Sequence, residues 1–228
     1  VPFFGCIPSL NGFPLSLSLK KNLRKKILLV RDQLSVSYRE KAEGAILSCL
    51  ADMFFSMSFQ RPFIYVSFRS EVSTHSFIKK RLLEGQFTAI PKVHDSGVMS
   101  AWRISDFEHD LAPGAFGILE PVMLPDALTQ QSVGHFLHNM SPHEVMPVDI
   151  DAIIAPGAVF DSSGARYGYG GGYYDRFIAE MSPEAVKIAL AFDAQVVDKL
   201  EIEVHDQRMD YIITESGVID CASHRIAQ

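Results

Sequence analysis

Residues 166–176 read Arg-Tyr-Gly-Tyr-Gly-Gly-Gly-Tyr-Tyr-Asp-Arg, and no other stretch of the chain restricts the fold as much. Five of the fifteen glycines fall between Gly164 and Gly172, and four of the seven tyrosines between Tyr167 and Tyr174. Glycine opens positive φ and lets a neighbouring group come close to the main chain, at an entropic cost that ordinary structure avoids. Before the block, Asp151-Ala-Ile-Ile-Ala-Pro156 has the length and character of a short buried strand. After it, Tyr174, Phe177, Ile178 and Met181 follow helical spacing. The local order is therefore strand, glycine loop, helix. Unpaired N–H groups and the positive dipole end at a helix start suit an anion such as phosphate. An irregular connection containing a bulge is the competing reading. Two phosphate motifs are excluded: G-x-x-x-x-G-K-[ST] occurs nowhere, and G-x-G-x-x-G fails because Tyr173 holds its third glycine position.

The flanking chain predicts an α/β fold. Leu23, Ile27, Val30 and Leu34 form an apolar stripe on an amphipathic helix over Lys20–Leu34, with Lys21, Arg24, Lys25 and Arg31 on the other faces. Ser37 and Glu40 have capping-box spacing for a second helix running through Phe54. Strands are predicted over 62–68, 86–91, 98–104, around 118–121, 186–192 and 209–213, with a helix capped near Ser73 or Thr74. Strands alternating with helices give a single, mainly parallel sheet flanked by helices, a Rossmann-like three-layer architecture. In such sheets ligands bind outside the carboxyl ends of the strands, which makes Glu71, just past a predicted strand, a candidate binding residue as well as a helix-start acid.

Length and charge narrow the function. The 228 residues fit one domain, residues 20–228, preceded by an apolar, proline-broken extension over 1–19, disordered or lightly packed. Residues 125–148, with His135, His138 and His143, read as a polar surface insertion; the histidines lack a convincing third metal ligand. A net charge of −6 argues against a general nucleic-acid binder, although eight of the 21 Lys and Arg lie between Lys20 and Lys41. On sequence alone that cluster reads as a solvated face. Cys6, Cys49 and Cys221 are scattered, as in a reduced cytoplasmic protein, and no stretch is apolar enough to span a membrane. A monomer is expected.

Lys20-x-x-x-Arg24, Ser70-Glu-Val-Ser-Thr74, Pro156-Gly-Ala-Val-Phe-Asp161, Gly164-x-Arg166-x-Gly168-Tyr-Gly-Gly-Gly-Tyr-Tyr-Asp-Arg176 and His205-Asp206 occur in this order. From about Lys20 to Glu215 the chain resembles the 5-formyltetrahydrofolate cyclo-ligases, also called methenyltetrahydrofolate synthetases. The resemblance implies ATP- and Mg²⁺-dependent conversion of 5-formyltetrahydrofolate into 5,10-methenyltetrahydrofolate, with release of ADP and phosphate. It implies that Lys20, Lys21, Asn22, Leu23 and Arg24 bind ATP together with Arg166, Tyr167, Gly168, Tyr169, Gly170, Gly171, Gly172, Tyr173 and Tyr174. Val66 and Glu71, with Tyr169 to Tyr173, would contact the folate; Asp175 and Asp206 would hold Mg²⁺. Lys20, Arg24, Arg166 and Tyr173 would take part in catalysis. Tyr167 departs from the family pattern, where an aliphatic residue is usual, and the insertion near His135 is longer than in many relatives. A folate-binding protein without turnover is the alternative, and fold analogy alone also allows a sugar-phosphate isomerase or CoA-transferase relative.

Overall fold

The computed structural model describes residues 17–114, 117–122 and 143–226. The expectations for Cys6, His135, His138 and most of the N-terminal extension lie outside them. The chain opens with helices α1 (Leu17–Asp32) and α2 (Val36–Met57), strand β1 (Pro62–Ile64) and helix α3 (His75–Leu83). Strands β2 (Ala89–Val93), β3 (Met99–Arg103), β4 (Leu111–Pro113), β5 (Leu119–Pro121) and β6 (Glu144–Val145) follow. Then come β7 (Ala152–Ala155), β8 (Val159–Asp161), β9 (Arg166–Tyr167), helix α4 (Tyr173–Ala179), β10 (Val186–Leu190) and β11 (Val196–Val197). The antiparallel pair β12 (Tyr211–Thr214) and β13 (Gly217–Asp220) leads into helix α5 (Cys221–Ile226).

Eight strands form the main sheet in the order β13-β12-β10-β7-β1-β2-β3-β6. The five from β12 to β2 run parallel, and β13, β3 and β6 close the edges antiparallel. Successive residues of a strand face opposite sides, so Ile64, Ile154 and Ile188 build one core with α2 and α3, whereas Phe63, Ile153 and Ala189 build another with α4. Helices thus cover both faces, in the three layers expected. A third cluster, with Ile27, Val159, Tyr167 and Leu200, seats α1 on the small sheet β11-β8-β9. No helix among the described residues is long and apolar enough to cross a membrane.

Several boundaries differ from expectation for local reasons. Helix α2 is capped by Ser35, whose Oγ accepts the Tyr38 N–H at 3.2 Å; Ser37 lies inside the helix and bonds Ser35 at 3.3 Å, so it is no cap. Strand β1 ends at Ile64, not residue 68, because the next residues turn back on Thr74. The Thr74 hydroxyl donates to Tyr65 O at 2.7 Å and accepts the Ser67 N–H at 3.1 Å instead of capping α3. The end of the expected surface insertion enters the main sheet as β6, with Val145 buried in the core. On α1 the buried stripe is Ile27 and Arg31, four residues apart, while Val30 is exposed. The 3.6-residue period allows either residue; the hydroxyls facing Arg31 decide it.

Candidate active site

In chain order β1 leads outward to β2, and β7 returns on the other side of β1, so the sheet reverses direction of growth between β1 and β7. Side chains beyond the carboxyl ends of strands gather at such a switch point. Tyr65 and Glu71 follow β1, Pro156 and Gly157 follow β7, and Gln195 follows β10; together with Arg31 of α1 they line one narrow cleft. Val66, expected at the folate, is buried beside Tyr65 at this end of β1. Gln195 is buried and braces the wall, its amide nitrogen donating to Gly157 O at 3.0 Å.

The glycine loop crosses between α1 and this cleft. Arg24 Nη1 donates to Gly168 O at 3.3 Å, and a Cβ on Gly170, at φ 105°, would stand 3.0 Å from the same nitrogen. One residue from each of these contacts, the Tyr169 hydroxyl donates to Glu71 Oε1 at 2.5 Å and accepts from Arg31 Nη1 at 3.0 Å. Beyond the loop, an open groove of about 700 Å³ runs along α1, with Lys21, Asn22, Arg24 and Lys25 on one side and Leu28 and Leu29 near them. Gly171 and Gly172 end the loop, with Gly172 in the left-handed region at the start of α4; Arg176 straps it through Gly171 O at 3.0 Å and Gly97 O at 3.1 Å.

The remaining expected site residues fall into three positions. Leu23 and Tyr167 turn into the core beneath α1, and Tyr167 Oη donates to Glu201 O at 2.6 Å. Tyr173 and Tyr174 pack against the sheet, with Tyr174 stacked on Phe63 at 6.3 Å between ring centroids. Burial raises the Tyr174 phenol far above its usual range. Arg166 has a side chain only 2% exposed and joins Pro156 O at 3.0 Å to Asp175 Oδ1 at 2.9 Å. Asp175 Oδ1 also accepts the Gln207 N–H at 3.2 Å, which places the chain next to Asp206 beside Asp175. Asp206 Oδ2 accepts the Glu203 N–H at 2.8 Å, and Glu203 in turn receives Lys20 Nζ at 2.8 Å. Burial alone would lower the Lys20 pKa, but the hydrogen bond and charge of Glu203 outweigh it and raise it.

Sequence reasoning left two contributors unread. Glu203 lies in an irregular loop without a motif. Arg31 is 4% exposed yet was expected on a solvated face; its four-residue spacing from Ile27 was the available signal.

Glu71 yields a prediction. Burial raises its carboxyl pKa, against the lowering effects of the Tyr169 hydroxyl, the Phe68 N–H and Arg31. The folded state therefore holds this proton more tightly than the unfolded chain does. Its favourable contribution is present at low pH and is lost as pH rises from the unfolded value through the folded one. Glu71→Gln escapes that loss, so its Tm should rise relative to the wild type as pH increases through this window and level off above it. Thermal melts from pH 4 to 8 check this; a pH-independent offset would contradict it.

An α/β protein with a cleft at the carboxyl edge of its parallel strands is the class that this fold defines. The model of the 5-formyltetrahydrofolate cyclo-ligase family matches residues 17–215, and the chain belongs to that family. It is 30% identical over 212 residues to a probable 5-formyltetrahydrofolate cyclo-ligase of Caenorhabditis elegans, covering 88% of this chain and 95% of the relative. It is 25% identical to the 5-formyltetrahydrofolate cyclo-ligase of Saccharomyces cerevisiae, covering 89% and 98%. Among solved structures, the Aquifex aeolicus 5,10-methenyltetrahydrofolate synthetase superposes with a TM-score of 0.73 at 30% identity, covering 89% of this chain and 93% of that one.

Proposed function

We propose that this chain cyclises 5-formyltetrahydrofolate to 5,10-methenyltetrahydrofolate at the expense of ATP. The observation that carries the reading is the bridging position of the glycine loop. Gly168 is bonded to Arg24 on the basic helix, and the next residue, Tyr169, is bonded to the cleft carboxylate Glu71. A loop held between the two subsites can bring a γ-phosphate and a folate together, and positioning with charge stabilisation is most of what phosphoryl transfer requires.

The formyl oxygen is a poor leaving group because its departure from the amide would be oxide-like. In the proposed path it attacks the γ-phosphorus and ADP departs, leaving an iminium phosphate. N10 then attacks the activated carbon and loses its proton, and phosphate leaves as the ring closes. Arg24 meets the phosphates at the groove along α1 and Lys20 meets them from its place beside Glu203, while the main chain from Arg166 to Tyr174 shapes the loop against them. Lys21 and Asn22 line the same groove, and Leu23 anchors that turn of helix. Val66 and Glu71 take the pterin, with Tyr169 to Tyr173 between the ligands.

Asp175 and Asp206 suit Mg²⁺, a hard cation that takes one or two carboxylates together with waters and phosphate oxygens. Each is oriented by a main-chain N–H, Asp175 by Gln207 and Asp206 by Glu203. Among the described residues no three His, Cys, Asp or Glu converge as an all-protein cage. When bound, the ion would neutralise phosphate charge. Arg166, buried behind Asp175, orients that carboxylate and so acts on the nucleotide through it.

Mixing the protein with MgATP and 5-formyltetrahydrofolate should produce the near-ultraviolet absorbance of the methenyl product. Folded protein that yields none would refute the reading. Arg24→Ala should lower kcat/KM for ATP about 10- to 100-fold, the worth of a charge-assisted hydrogen bond, with folate KM nearly unchanged. An unaltered ATP dependence in initial rates would remove Arg24 from the phosphate site.

A further inference from the structure

Glu71 and Arg31 are each fixed from behind by independent anchors. Glu71 Oε2 accepts the Phe68 N–H at 2.8 Å, and Arg31 Nε donates to Ser70 Oγ at 3.0 Å, whose hydroxyl donates on to Asp32. An acceptor, Glu71 Oε1, and a donor, Arg31 Nη1, are then directed to a common point. The Tyr169 hydroxyl occupies it, donating to the first and accepting from the second. Both Arg31 and Glu71 line the narrow cleft at the switch point. Tyr169 is itself half exposed and sits between Gly168 and Gly170, the latter at φ 105°. It is the one member of this trio carried on a glycine hinge.

A carboxylate acceptor beside a guanidinium donor complements a cyclic amide edge, in which an N–H and a C=O stand side by side. The 2-amino-4-oxo pterin ring has such an edge at N3–H and C4=O. We propose that Arg31 is a substrate-binding residue that reads the 4-oxo group of the pterin while Glu71 takes N3–H, and that Tyr169 stands in for this edge until the folate displaces it. The inference rests on the proposed folate site and adds to it the residue that distinguishes a 4-oxo from a 4-amino ring. A 4-amino ring presents the reverse pattern, an acceptor at N3 and a donor at C4, which would face Arg31 with N–H against N–H. Sites built to bond one pattern reject its inverse strongly because buried polar groups are left unpaired.

Calorimetry without ATP tests the assignment on three proteins with two ligands, 5-formyltetrahydrofolate and its 4-amino counterpart. The wild type should bind the 4-oxo ligand at least about tenfold more tightly. Arg31→Met should bring the two affinities to within about threefold of each other. Tyr169→Phe, which removes the competing hydroxyl and leaves Arg31 and Glu71 in place, should bind 5-formyltetrahydrofolate about fivefold more tightly than the wild type. An Arg31→Met protein that weakens both ligands equally would make Arg31 a mere support for the loop and overturn the proposal. So would Tyr169→Phe binding the folate no better than the wild type, a result that decides the matter even if Arg31→Met does not fold. A wild type that binds the 4-oxo ligand but shows no preference overturns this inference alone, whereas a wild type that binds neither ligand overturns the folate site as well.

Discussion

Asp175→Asn should lower kcat about 1,000-fold while leaving the affinity for 5-formyltetrahydrofolate within about twofold of the wild type. The substitution is nearly isosteric. The amide side chain keeps an oxygen for Arg166, which lies 2.9 Å from Asp175 Oδ1, and for the Gln207 N–H at 3.2 Å, so the loop should retain its shape. What is lost is the negative charge proposed to hold the metal against the phosphates, where charge moves during transfer. Glu71 and Val66 of the proposed folate subsite lie after β1, away from Asp175 on α4, and should not register the change. Steady-state kinetics combined with folate titration separates the two quantities, because a loss confined to turnover marks an interaction made in the transition state. If folate affinity fell by the same factor as kcat, Asp175 would be acting on the architecture of the loop and not on phosphoryl transfer.

Gly164→Ala should be the most damaging single methyl in the site's framework. Gly164 has φ 87°, and a Cβ built there would come within 2.2 Å of the Met209 carbonyl oxygen and 3.1 Å of Cys221 Cβ. The carbonyl cannot swing aside cheaply, since it accepts the Arg225 guanidinium at 2.5 Å and its residue donates back to Gly164 O at 2.8 Å. Backbone strain of about 1–3 kcal/mol and overpacking of similar size together give a loss of roughly 2–6 kcal/mol, about 4 kcal/mol at the centre of the range. Urea denaturation should show a midpoint lowered by more than 1 M at unchanged slope, taking a slope of about 2–3 kcal/mol per M for a chain of this size. A midpoint near that of the wild type would mean that the turn between β8 and β9 and the segment leading into β12 are free to move apart, contrary to the contact between Gly164 and Met209.

Strand, glycine loop and helix were legible in the sequence because each leaves a local signature: apolar run, composition, period. The mainly parallel sheet between two helical layers was legible too, since alternation of strands with helices leaves few arrangements. Ser37 was misread because Ser35 two residues earlier offers the same side chain, and only the backbone conformation of Ser35, at ψ 153°, selects it. The exchange of Val30 for Arg31 on the buried face of α1 has a different origin. A charged side chain goes inside only when remote groups receive it, and Ser70 and Tyr169 lie 39 and 138 residues away in the chain. Glu203 is of the same kind, made part of the site by Lys20 at a separation of 183 residues. Local pattern finds elements; the partners of a buried polar group are fixed only by the assembled fold.

Helix α1 carries Arg24 toward the groove and Arg31 toward the cleft, seven residues or about 10 Å apart along one rigid rod. A ligand that tilts this rod at either end tilts it at both. Thermodynamic linkage then makes the effect reciprocal: whatever factor a bound nucleotide imposes on folate affinity, bound folate imposes on the nucleotide. On the proposed assignment nucleotide and folate share this helix as a lever, and the order in which they bind becomes a question about how one helix tilts.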